Sequence, residues 1–130
     1  MPFFPYSAAM IKSIKFTSIS VRNQDASLEF YTKKLGFIIL TDQPFSDKQR
    51  WIELGLPGAQ TGLVLFNPDG HQDRIGSFTG LSFLCDDVPQ TYEQLKSRGV
   101  DFVQPPKVES WGTSAIFKDL DGNQFVLSSK

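Results

Sequence analysis

The feature that most constrains this chain is that it states one pattern twice. Ile14–Val21 alternates β-branched and small polar residues and predicts a strand. A helix follows, capped by Asn23 or Asp25, with Leu28, Tyr31 and Leu35 on one face and Gly36 as its left-handed stop. Phe37–Leu40, Gln49–Leu54 and Gly62–Phe66 predict three further strands, with the turn Leu56-Pro57-Gly58 before the last. From Thr79 the order returns. Thr79–Cys85 predicts a strand, and Asp87 caps a helix with Pro89 in its first turn, Val88, Tyr92 and Leu95 inward and Gly99 as its stop. Val100–Val103 predicts a short strand broken at Pro105-Pro106. Thr113–Lys118 and Gln124–Ser128 flank a strong turn signal, Asp119-Leu120-Asp121-Gly122-Asn123. Gly36 and Gly99 lie 63 positions apart, and the same shift carries Val21 onto Leu84 in the matching strand.

Each half must cover its sheet with the other half or with another copy. The expected fold is therefore α+β: two βαβββ modules whose curved mixed sheets enclose a cleft. The halves run over about 11–66 and 79–130 of a single domain, 11–130, joined by the polar linker 67–78. Residues 1–10 read as an N-terminal extension, with Met10 as an alternative start.

Composition narrows the function classes. With 13 Lys and Arg against 14 Asp and Glu, and no basic run, nothing invites nucleic acid or an anionic membrane. No stretch nears the roughly 20 apolar residues of a membrane span, and the opening MPFFPYSAA has no basic region of a signal peptide. A single cysteine, Cys85, excludes an internal disulfide and a thiolate zinc site, and suits a cytoplasmic location. Twelve Phe suggest a core or cleft walled by aromatic rings.

Phe30-Tyr31 with Leu35-Gly36-Phe37 resembles the FY…LGF signature of the vicinal-oxygen-chelate superfamily, the glyoxalase/bleomycin resistance protein/extradiol dioxygenase group. Phe117-Lys118-Asp119-Leu120-Asp121-Gly122-Asn123 is similar to its F-x-DPDGN turn, with Leu120 in place of proline, and Trp111-Gly112 also matches many members. The resemblance covers residues 11–130. Its enzymes hold a divalent metal with His and Glu from four strands, and the resemblance places those ligands at Phe16, near Val64, at Gly80 and at Val126. None of these four side chains carries a donor for a metal. The only histidine, His71, lies in the linker beside Asp69 and Asp73 and reads as an ordinary loop residue.

Other catalytic constellations are missing. Ser18, Ser20, Ser82 and Ser114 have neither a Gly-x-Ser-x-Gly elbow nor a base. Asp119 and Asp121 read as turn residues rather than calcium ligands. What remains is a small-molecule pocket. Its wall takes the positions that the resemblance implies, Phe16, Val64, Gly80 and Val126. Ser18 shares the parity of Phe16, and Gln124 that of Val126. Trp51 and Glu53 alternate on the third strand of the first half, Ser82 lies on the second half's first strand, and Trp111 stands at the entrance to the last hairpin. A carboxylate such as Glu53, facing a sheet interior, needs a partner or a ligand. The expected protein binds a small planar or aromatic organic ligand, needs no metal or other cofactor, and forms a homodimer without nucleic-acid or membrane partners. An enzyme of the superfamily (lyase, isomerase or dioxygenase) with a displaced or absent metal is the first alternative. A regulatory module whose cleft is filled by its own side chains is the second.

Overall fold

A computed structural model of the chain describes residues 10–67, 70 and 72–129. The N-terminal extension up to Ala9, Asp69 and His71 lie outside the described residues. Each half folds as β-α-β-β-β. The first contains β1 (Phe16–Ser20), α1 (Gln24–Glu29), β2 (Ile38–Pro44), β3 (Arg50–Gly55) and β4 (Gly62–Phe66). The second contains β5 (Phe78–Leu84), α2 (Val88–Ser97), β6 (Asp101–Glu109), β7 (Gly112–Lys118) and β8 (Gln124–Ser128). A short 3-10 turn, Gln72–Arg74, lies in the linker. The strands form two mixed four-stranded sheets, ordered β1-β4-β3-β2 and β5-β8-β7-β6. In each, the first strand runs parallel to the last strand of its module, and the other pairs are antiparallel.

The helix starts follow local chemistry. The Asn23 side chain accepts from Ala26 N, and the Asp87 side chain accepts from Gln90 N. Gly36 and Gly99 end the helical segments at φ 81° and 88°, a region that L side chains rarely enter. The first helix departs from expectation beyond Glu29. It widens into a π turn over Phe30–Lys34, closed by Leu35 N donating to Phe30 O at 3.3 Å. This extra width buries Phe30 and Tyr31 together, so the inward face is Gln24, Ser27, Phe30 and Tyr31, while Leu28 and Leu35 are only partly buried. Gln24 is inward because its amide is fully used. It donates to Arg50 O at 2.8 Å and to Leu65 O at 2.9 Å, and accepts from Arg50 N at 3.0 Å, tying α1 to β3 and β4.

A second departure concerns β6, expected to stop before Pro105-Pro106. It runs through both prolines to Glu109, with register shifts on either side of Gln104. As the outer strand of its sheet, β6 has one side without ladder bonds, which accommodates one missing N–H, and the register shift between Gln104 and Lys107 takes the other proline out of the ladder.

One core joins the halves. Ile19, Ile52, Leu54, Leu63 and Leu65 from the first sheet pack in the same cluster as Ala115, Phe117, Phe125 and Leu127 from the second, with Tyr31, Val88 and Leu95 from the helical segments. Tyr31 reaches across to Phe125, and Phe37 to Phe83, at ring-centroid distances of 6.4 and 5.6 Å. No helix among the described residues is long and apolar enough to cross a membrane.

Candidate functional site

Strand alternation sets the two faces of each sheet. Ile19, Ile52, Leu54, Leu63 and Leu65 take the core face, which turns Phe16, Ser18, Trp51, Glu53 and Val64 to the opposite side. Pairing aligns Ser18, Val64, Glu53 and Thr41 in one row across the first sheet. In the second sheet Phe125 and Leu127 enter the core, and Ser82, Val126 and Ile116 form the corresponding row. These pairings fix which side of its sheet each residue takes.

Between the sheets, β1 and β5 line a cleft of about 640 Å³. Its apolar walls include Ile19, Trp51, Phe66, Phe78 and Leu81. Its polar lining comes from Thr17, Ser18, Ser20, Ser77, Thr79, Asn123 and Arg74. Trp51 is steadied from two sides, edge-on by Phe16 at 5.4 Å and by the tilted ring of Phe45 at 5.9 Å. A second, more apolar cleft of about 440 Å³ shares Thr17 and Leu81 with the first and extends to Ser82, Phe83, Leu84 and the turn Leu56–Ala59.

The cleft floor is held by the turn between β7 and β8. Asn123, 1% exposed, donates to Ser20 O at 2.8 Å and to Asp119 Oδ2 at 2.9 Å, and accepts from Gly76 N at 2.8 Å. Asp119 Oδ1 accepts from the backbone of Asp121 and Asn123, and Tyr31 donates its phenol proton to Asp119 Oδ2 at 2.6 Å. Burial, with the Asp119 carboxylate adding to it, pushes the Tyr31 phenol well above its ordinary pKa. The conspicuous turn residues are thus the joint between the halves.

The remaining candidates are dispersed. Ser82 and Ser128 share a hydrogen bond of 2.8 Å at the edge of the second sheet. Gly80 stands in an irregular stretch of β5 at φ 75°, where Thr79 Oγ1 accepts from Leu81 N and donates to Gln124 O. Val126 and Gln124 are half-buried on β8. Glu53 lies over Gly62, where any Cβ would come within 2.7 Å of its Oε2, and is not among the residues lining the larger cleft. The two indoles are apart: Trp51 lines that cleft, and Trp111, 59% exposed, sits at the turn between β6 and β7. Sequence reasoning missed Phe66, Arg74, Ser77, Phe78 and Thr79, because the linker's path across the sheet ends depends on tertiary packing.

The metal implied by the resemblance does not fit these residues. Phe16, Val64, Gly80 and Val126 offer no donor side chains, and among the described residues no three His, Cys, Asp or Glu converge.

The family model for the Glyoxalase/Bleomycin resistance protein/Dioxygenase superfamily matches residues 13–127. The chain belongs to this superfamily. YetH, an uncharacterized protein of Bacillus subtilis (strain 168), is 36% identical over 118 residues, 91% of this chain and 98% of YetH. A superfamily member from Sphaerobacter thermophilus DSM 20745 superposes with a TM-score of 0.86 at 34% identity, covering 94% of this chain and all of that one. TnmS3, an antibiotic binding protein from Streptomyces sp. CB03234, superposes with a TM-score of 0.82 at 35% identity, covering 93% and 98%. Superfamily membership fixes the fold, and the reaction or ligand must come from the site itself.

Proposed function

We propose that this chain is a small-molecule binding protein of the glyoxalase/bleomycin-resistance type. In this reading it works without the superfamily's metal and sequesters a planar or aromatic compound in the cytoplasm, as a homodimer. The observation that carries the reading is the cleft between β1 and β5. Aromatic rings wall it and serine hydroxyls punctuate it, and elsewhere on the strands the four positions that the resemblance assigns to a metal carry no donor side chain. Ser18 and Trp51 line this cleft, and in this proposal the ligand also reaches Phe16 and Val64 on the first sheet and Gly80, Ser82, Gln124 and Val126 on the second. The likeness to TnmS3, an antibiotic binding protein, supports binding as the task of such a cleft.

Elemental analysis after dialysis, with melting followed in added Ni, Zn, Mn and Fe, tests the reading. The expected result is no stoichiometric metal and an unchanged melting temperature. One metal per chain that raises the melting temperature by mass action would transfer support to a metalloenzyme.

A further inference from the structure

We propose that the cleft selects planar aromatic ligands bearing an anionic oxygen, a carboxylate or phenolate, and that Arg74 reads this charge. The inference rests on the binding reading above and narrows its ligand class.

Among the described residues that line the cleft, Arg74 is the one that carries a formal charge. Its segment is tied down on the C-terminal side. Ser77 donates its hydroxyl to Arg74 O at 3.3 Å, and Gly76 N donates to Asn123 Oδ1 at 2.8 Å. Gly76 also sits so close to the β7–β8 turn that a Cβ there would meet Asp121 O at 3.0 Å, so the linker is seated directly on the joint between the halves. Arg74 therefore sits on a backbone-anchored rim of the cleft, at the end of a short 3-10 turn four residues before Phe78, which with Thr79 also lines it.

The other polar groups cannot set the sign of the ligand. The Thr79 hydroxyl is engaged by Gln124 O and Leu81 N, and the Asn123 amide by Ser20 O, Asp119 and Gly76 N. Ser18 and Ser20 supply neutral hydroxyls, which serve an oxygen acceptor as readily as a donor. Glu53, the acid in the pocket reading of the first sheet, stands off the lining over Gly62. Trp51, Phe66 and Phe78 favour a flat ring system, and a guanidinium at the rim pairs with a planar carboxylate. Exposure of Arg74 to solvent keeps the charge contribution modest and sensitive to salt.

Equilibrium dialysis with 2-naphthoate and its neutral isostere 2-naphthamide tests the inference. At low salt the wild-type chain should bind the carboxylate about fivefold more tightly than the amide. Raising the salt to about 0.5 M should narrow that gap. Arg74→Gln should abolish the preference, weakening the carboxylate about fivefold more than the amide, while Arg74→Lys should retain part of it. Equal binding of the two probes by the wild type, or equal weakening of both in Arg74→Gln, would overturn the role of Arg74 and leave the binding reading standing. If neither probe binds, the binding reading falls and the charge preference falls with it.

Discussion

Thr17 presents a hydroxyl that is shut off from solvent and has no hydrogen-bond partner among the described residues, at the strand shared by both clefts. Such a group carries a desolvation cost that valine, of nearly the same shape, avoids. Thr17→Val should therefore stabilise the protein by about 1 kcal/mol in denaturant unfolding, and a loss of stability would show that the hydroxyl finds a partner. The opposite holds at Tyr31, whose phenol is fully buried against Asp119. Tyr31→Phe should cost about 1–3 kcal/mol. Because the folded-state pKa of this phenol lies above its unfolded value of 10.0, its stabilisation is complete below pH 10 and is lost as pH rises towards the folded-state pKa. The phenylalanine variant should lack that alkaline decline, and an identical alkaline profile in both proteins would contradict the assignment. Neither residue's role was legible in the sequence. Tyr31 was read correctly as inward, but its partner lies 88 positions away. Alternation gives the face of Glu53 but not that Gly62 leaves room there for its carboxylate.

Elements were more legible than residues, because caps, stops and alternation act over a few positions. Asn23, Asp87, Gly36 and Gly99 bound the helical segments as read, and β4 and β8 coincide with their expected ranges. The failures have tertiary causes. Whether Pro105-Pro106 ends a strand depends on whether that strand is an edge, which only the sheet order reveals. The π turn at Phe30 likewise answers to the far half of the core that Tyr31 must reach. Prolines on an edge also discourage pairing with another chain. Replacing Pro105 and Pro106 together with Thr should change stability by less than about 1 kcal/mol, yet increase self-association, as followed by light scattering. Unchanged scattering would mean that the bent register of β6 alone protects this edge.

At the scale of the whole molecule, the repeat in the sequence foretold two modules, and the DLDGN turn of the second is hydrogen-bonded to Ser20, Ser27 and Tyr31 of the first. The outer strand of the first sheet leaves Ile38, Ile39 and Leu40 46%, 50% and 54% exposed, an apolar edge suited to a second copy. Sedimentation at micromolar concentration should give the dimer mass, and Ile39→Lys should shift it towards the monomer. A wild-type chain that sediments only as a monomer would contradict the homodimer. The cleft itself was legible as faces and not as a volume, since parity assigns a side chain to a side of its sheet but cannot bring the linker over it. The most direct test of the account is calorimetric titration with 2-naphthoate in the presence of EDTA, comparing the wild type with Ser18→Trp, which fills the cleft from an exposed strand position. The account predicts one site per chain without metal, lost in Ser18→Trp at an unchanged melting temperature. Binding that appears only after a divalent metal is added, or that persists undiminished in Ser18→Trp, would contradict it.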